Sequence, residues 1–230
     1  RALRHQQPPV LEPEAVTRRI EAFLFDFGGV FTDSPFAAVE DFGRTIGADP
    51  PSVSAIVFGS YAHDGEHPWH RLERGEIALE AAREHILALG REHGLDIDIY
   101  QLFARMADNG GGAGARGALV ETVRGLRGAG YRTGIITNNV REFGDGWRAL
   151  IPVEELFEFV VDSSHVGVRK PDPRIFALAL EQLGGPDPAR CVFLDDHPAN
   201  VAAARALGML AIHVGPDPAA TVEAIERLLD

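Results

Sequence analysis

The stretch "EAFLFDFGGVFTD", Glu21 to Asp33, places one carboxylate, Asp26, at the end of an apolar run with two glycines close behind it. Apolarity that is continuous rather than alternating marks a strand covered on both faces, expected here over 21–27. A charged group at the end of such a strand needs compensation, from a cation or a polar cleft. Gly28 and Gly29 let the backbone turn sharply, so that its carbonyls and amides can approach a ligand. Four further segments have the same character: "YRTGIITNN" (131–139), "FEFVVDSS" (157–164), "CVFLDD" (191–196) and "MLAIHV" (209–214).

Helical patterns separate the last four strands. "RGALVETVRGLRGAG" sets Leu119, Val123 and Leu126 on one face. "DPRIFALALEQLG" opens on Asp172 as N-cap with Pro173 at the first helical position and closes on Gly184. "HPANVAAARALG" repeats this with Pro198 and Gly208, and "DPAATVEAIERLLD" with Asp217 and Pro218. Strands alternating with helices predict an α/β fold with a Rossmann-like, doubly wound parallel sheet.

Residues 34–112 break the alternation and read as all-helical. Ala78, Ala81, Ala82, His85, Ile86 and Leu89 form one stripe at helical spacing, with His85 read as a core histidine. Ile99, Leu102, Phe103 and Met106 form a second. An interval of this length is too long for a simple crossover, so it is read as an inserted helical cap. "NGGGAGARG" (109–117) is the expected hinge back to the core. It lacks the Lys-Ser/Thr of a phosphate loop and follows a helix rather than a strand. The expected organisation is an N-terminal arm (1–19), a core (20–33 and 113–230) and a cap (34–112).

The composition, 45% hydrophobic and 24% charged, is that of a globular protein. No run suggests a membrane span. "RALRHQQPPVLEPE" has no apolar segment of the secretory kind. The absence of an initial Met leaves open what precedes Arg1. The formal charge is −12 and no basic patch appears, which argues against a nucleic-acid partner. One cysteine, Cys191, excludes an internal disulfide and agrees with a cytoplasmic location. It starts an apolar run and reads as a buried structural thiol.

Ligands of open α/β sheets bind at the carboxyl ends of the strands. The polar residues expected there are Asp26, then Thr137, Asn138 and Asn139, then Lys170, then Asp195 and Asp196. A carboxylate beside a divalent cation acts as a nucleophile. Acids with open water positions bind Mg²⁺. A hydroxyl, an amide and a lysine hold the oxygens of a transferring phosphoryl group. Lys170 is also expected to keep Asp26 ionised.

With these residues assembled, the chain resembles a haloacid dehalogenase (HAD) superfamily hydrolase of subfamily I, the branch with a helical cap of the first kind. "FDFGGVF", "ITNN", "GVRKPDPRIF" and "VFLDDHPANVAAARALGM" resemble its four motifs, in order, between about residues 21 and 216. The second and fourth, with "HPWHRLERGEI" (67–77), look closest to the branch of the N-terminal phosphatase domain of soluble epoxide hydrolase. The resemblance implies a Mg²⁺-dependent hydrolase of a small phosphomonoester. Asp26 would be the nucleophile that forms an aspartyl-phosphate. Thr137 and Asn138 would bind the phosphoryl oxygens, and Lys170 would bridge them to the nucleophile. Asp26, the Gly28 carbonyl and Asp196, with Asp195 beside it, would hold the metal. The implied partner is a small phosphorylated molecule, with neither nucleic acid nor membrane, and the implied state is monomer or homodimer.

The departure from the family pattern is at residue 28, where family phosphatases usually carry a second Asp that protonates the leaving group and then activates water. Gly28 does neither. General acid–base catalysis contributes roughly 10²–10⁴-fold, so turnover of alkyl phosphates is expected to be slow. Asp33 and His197 are the candidate replacements. Two rival readings follow: a 2-haloacid dehalogenase-type hydrolase using the same Asp26, and a catalytically weak phosphometabolite-binding relic. Of the remaining residues, His63, His67 and His70 invite a zinc reading that Gly65 and Pro68 oppose, because they break any helix that would align the rings. Trp69, His70 and Arg71 are expected to pack or face solvent rather than line the cleft. Asn200 is expected either to cap its helix or to orient the acidic pair.

Overall fold

The computed structural model describes residues 19–108 and 117–229. The expected arm, except Arg19, and the expected glycine-rich hinge, except Gly117, lie outside the described residues. Five strands form one parallel sheet: β1 (Ala22–Phe25), β2 (Arg132–Thr137), β3 (Phe159–Asp162), β4 (Cys191–Asp195) and β5 (Leu210–His213). Their order is β3-β2-β1-β4-β5. The first strand is therefore central, with Phe25 level with Ile135 on one side and Leu194 on the other. The chain reverses its direction of winding between β1 and β4, and such a switch point opens a crevice at the carboxyl edge. Asp26 and Asp195–Asp196 flank that crevice.

Both faces of the sheet are covered, as continuous apolar strands require. Phe23 and Phe25 point to one side and pack with Leu119 and Val123 of α6 (Gly117–Gly128) and Ile225 of α11 (Pro218–Glu226). Ala22 and Leu24 point to the other and pack with Phe176 of α9 (Pro173–Gln182) and Ala204 of α10 (Pro198–Ala206). The proline-led starts form as their sequences dictate. Asp172, His197 and Asp217 each accept the N–H two residues ahead, satisfying a donor the helix cannot.

Among the described residues five helices lie between β1 and α6: α1 (Pro35–Thr45), α2 (Pro50–Phe58), α3 (Pro68–Glu73), α4 (Leu79–Glu92) and α5 (Ile99–Asp108). They share an apolar cluster of their own that includes Phe42, Val53, Leu72, Ile86 and Leu102. Two short helices, α7 (Val153–Leu156) and α8 (Ser163–Val166), flank β3. Among the described residues no helix is long and apolar enough to cross a membrane.

Two expectations fail. His85 is exposed, and so is Ala78, the N-cap of α4. The buried face is instead Ala82, Ile86 and Gly90, with Leu79 and Leu89 packed at its edge. Ala82, Ile86 and Gly90 centre the buried arc; Ala78 and His85 lie to one side of it. β5, read as covered on both faces, is an edge strand, and Leu210 is 40% exposed.

Candidate active site

The carboxyl edge gathers Asp26, Thr137, Asn138, Asn139, Lys170, Asp195 and Asp196. Asp26 is 8% exposed and bonds by its own N–H to the Leu194 carbonyl (2.8 Å), continuing the ladder one step past β1. Its Oδ1 takes the Lys170 ammonium at 2.7 Å and the Phe27 N–H at 2.7 Å. Its Oδ2 accepts no hydrogen bond among the described residues. Lys170 is fully buried, and its Nζ also reaches Asp195 Oδ2 and the Ile136 carbonyl, both at 2.8 Å. It is the only lysine of the chain, every other Lys/Arg position being arginine.

Each partner of Lys170 is itself fixed. Asn200 donates to both oxygens of Asp195 (3.0 and 3.1 Å), and the His197 N–H donates to Oδ1 at 2.8 Å. Of the two roles open to Asn200, orienting the acidic pair is the one observed. Asn138 clasps the Lys170 main chain, accepting its N–H at 2.8 Å and donating to its carbonyl at 3.0 Å. The Asn138 side chain is thereby a brace for Lys170. The Thr137 hydroxyl makes only a long contact, 3.4 Å, to the Asn138 carbonyl. Asn139 is tied to β3, its side chain donating to Asp162 at 2.7 Å.

Asp195 and Asp196 divide their work. Asp195 is fully buried, and both its oxygens serve Lys170, Asn200 and the His197 amide. Asp196 lines the cavity and accepts from Ser34 Oγ at 2.6 Å. Gly29 lies directly behind it. Its φ is +72°, and a Cβ there would sit 2.0 Å from Asp196 Oδ2. The Gly-Gly turn is thus glycine at 29 for want of space and for its left-handed backbone. Gly28 has neither constraint: a Cβ there would meet nothing closer than Pro35 Cδ at 3.8 Å.

Oxygens of Asp26, Asp195 and Asp196 lie within 4.8 Å of one another. Burial, then Asp195 and Asp196, push the Asp26 carboxyl well above the usual range although Lys170 pulls it down. Burial works against the Lys170 ammonium, but Asp195 and Asp26 outweigh it and raise its pKa. Lys170 does not offset the cluster by itself: three carboxylates face one ammonium. That surplus of oxygen ligands and negative charge fits a hard divalent cation. The members able to serve it are Asp26 and Asp196.

The cavity has a volume of about 300 Å³. Asp26, Gly28, Thr137, Asn138, Lys170 and Asp196 form its polar floor. The rest is largely aromatic, a chain of rings in edge or tilted contact. Phe36 meets Phe58 (5.0 Å), Phe58 meets Trp69 (5.0 Å), Trp69 meets Phe103 (6.2 Å), and Phe103 meets Phe143 (5.2 Å). Trp147 packs on Phe27 at 4.5 Å. Trp69 lines the cavity, against expectation, whereas His70 is buried beside it. Asp33 lies exposed at the rim. His197 sits between the rings of Phe36 and Tyr61, each 4.9 Å away, with Nδ1 accepting the Ala199 N–H. Sequence reasoning missed Ser34, Tyr61 and Glu73, none of which stands in a strand-end position.

A family model for haloacid dehalogenase-like hydrolases matches residues 20–208. The chain belongs to that family. As a HAD-like hydrolase it is 28% identical over 172 residues to bifunctional epoxide hydrolase 2 of Mus musculus, a match covering 69% of this chain and 30% of that one. It is 26% identical over 221 residues to the sesquiterpene phosphatase astK of Aspergillus oryzae, covering 91% of this chain and 96% of that one. It spans 17–31% of the length of the first curated relatives it matches. A HAD family enzyme of Bacteroides thetaiotaomicron, crystallised with magnesium and inorganic phosphate, shares the fold. Its TM-score is 0.54 at 21% identity, covering 86% of this chain and 96% of that one.

Proposed function

We propose that this HAD-like hydrolase is a Mg²⁺-dependent phosphomonoesterase whose preferred substrates join the phosphate to an apolar or aromatic group. The observation that carries the reading is the Lys170–Asp26 pair on the floor of a cavity that also holds Asp196 and Thr137 and is otherwise aromatic. The helices α1–α5 act as the cap that supplies this aromatic wall.

Asp26 Oδ2 attacks phosphorus, the bond from phosphorus to the leaving oxygen breaks, and an aspartyl-phosphate forms. Lys170 holds the nucleophile ionised and in line once the other charges are balanced, and Thr137 donates to a phosphoryl oxygen. Water then attacks phosphorus and restores the Asp26 carboxylate. Asp26, Asp196 and the Gly28 carbonyl would hold Mg²⁺, which supplies charge neutralisation at the phosphoryl oxygens. Asp195 positions Lys170 and takes no part in metal binding. With Gly28 in place of an acid, the leaving oxygen departs unprotonated, so aryl and acyl phosphates turn over faster than alkyl ones. The Mg²⁺ and phosphate bound by the Bacteroides enzyme and the phosphatase activity named for the Aspergillus relative support the reading.

The test is hydrolysis of p-nitrophenyl phosphate with Mg²⁺, with EDTA, and by Asp26→Asn. Turnover that needs the metal and is lost in the variant is expected. No turnover with any divalent cation refutes the proposal, and consumption of 2-chloropropionate in its place favours dehalogenation.

A further inference from the structure

We infer that Glu73, at the end of α3, is a positioning residue for Lys170, acting through Arg169. The inference rests on the reading of Asp26 and Lys170 as the reacting pair. Arg169 precedes Lys170 in the chain and is fully buried; Glu73 is 3% exposed. Arg169 Nε donates to Glu73 Oε2 at 2.6 Å, and the guanidinium lies 4.4 Å over the Tyr61 ring. The Tyr61 hydroxyl donates to the other Glu73 oxygen, Oε1. Among the described residues Nη1 and Nη2 of Arg169 have no hydrogen-bond partner, and Asp64 Oδ1 lies 3.6 Å from Nη1. The direction of the guanidinium is thus set by one carboxylate and one ring face.

The main chain of Glu73 is fixed to the same edge. Its carbonyl accepts from Ser163 Oγ at 2.6 Å, and that oxygen accepts the Asn139 N–H at 3.0 Å. Gly75, with φ +66°, packs so close that a Cβ would lie 2.4 Å from the Ser164 carbonyl. One end of α3 therefore grips the neighbour of Lys170 by its side chain and the neighbour of Asn138 by its backbone. Glu73, Tyr61 and Trp69 also line the cavity. A buried ion pair is a weak source of stability, since an apolar pair of equal volume serves as well. What this pair supplies is a fixed place for the loop that carries the ammonium, tied to the wall the substrate's apolar group would touch.

Because Lys170 is the only lysine, protein grown with ¹⁵N-lysine gives a single side-chain nitrogen resonance, that of Nζ, read without turnover. Glu73→Gln is expected to shift that resonance. In the active enzyme it lowers kcat for p-nitrophenyl phosphate at least tenfold while KM stays within threefold. Asp98→Asn breaks the Arg83–Asp98 ion pair in the same group of helices and moves neither. Should Glu73→Gln not fold, the charge-neutral Glu73→Gln/Arg169→Met pair is read the same way. A folded variant with the resonance unmoved, or with kcat within twofold of an active parent, overturns the inference. A shifted resonance in a protein that hydrolyses no phosphate upholds the coupling and refutes the phosphatase reading alone.

Discussion

Gly28→Asp supplies the carboxylic acid that the haloacid dehalogenase resemblance leads one to expect two residues beyond Asp26. Space permits it: the nearest heavy atom to the added Cβ is Pro35 Cδ at 3.8 Å, and the backbone of Gly28 is not left-handed. The new carboxyl joins Asp26, Asp195 and Asp196. A single like charge at about 6 Å costs roughly 3 kcal/mol at an effective dielectric near 20, which raises its pKa by about two units. That repulsion favours the protonated form, the form a general acid needs. An acid so placed is worth roughly 10²–10⁴-fold, or about 3–5 kcal/mol of barrier. The gain falls on substrates with poor leaving groups. We expect kcat/KM for an alkyl phosphate such as octyl phosphate to rise about 100-fold in Gly28→Asp. The value for p-nitrophenyl phosphate, whose leaving group needs no proton, should change less than about threefold. Both are measured by phosphate release at saturating Mg²⁺, with melting temperature as the check on folding. An unchanged alkyl-to-aryl ratio in a folded variant would show that Gly28 is not the missing acid position.

Gly29→Ala should behave oppositely to a substitution at 28. Its Cβ falls on Asp196 Oδ2 and its φ is +72°, so half-saturation by Mg²⁺ should need at least about tenfold more metal, whereas Gly28→Ala leaves it unchanged. A Mg²⁺ titration of activity in both variants decides this. At the rim, Phe143 is 43% exposed; Phe143→Ser should raise KM for octyl phosphate about fivefold, roughly 1 kcal/mol of lost apolar burial, and leave p-nitrophenyl phosphate almost untouched. Equal effects on both substrates would remove the ring from the substrate path. Burial, then the charge of Arg169, lowers the His70 pKa to about 3, while the unfolded chain titrates near 6.5. The unfolded state therefore binds the extra proton first, and stability is lost as pH falls from 6.5 towards 3, at up to about 1.4 kcal/mol per unit. Thermal unfolding at pH 7.0 and 5.5 should differ by roughly 3–6 °C, and His70→Leu should shrink the difference. A pH-independent melting temperature would contradict this.

The sheet was legible because its strands are uniformly apolar and its helix starts carry Asp-Pro or His-Pro, local signals that need no knowledge of the whole. The polar floor was legible for a related reason: one topological rule sends the ends of parallel strands to a common edge, so Asp26, Thr137, Lys170 and Asp196 could be named together. What escaped notice depends on contacts between distant segments. Ser34 meets Asp196 across 162 residues of chain, and Glu73 meets Arg169 across 96. Nothing in "SPF" or "LERGE" announces this. The His85 error has another origin. Alanine is neutral in a helical stripe, and a row of alanines cannot fix which arc turns inward when leucines lie one residue away.

The central place of β1 also governs how the chain is made. Of the strands in this sheet it is the first made, yet its partners come far later: Phe25 waits for Ile135 on one side and Leu194 on the other. At roughly 5–20 residues per second, the first partner follows after about 5–20 s and the second after about 8–35 s. Through that interval a wholly apolar strand has two unpaired edges, the condition under which chains stick to one another. Asp26 is thus made well before the residues that surround it in the folded sheet. Nascent chains halted before Cys191 should hold trigger-type chaperones, and those released with β4 complete should let them go.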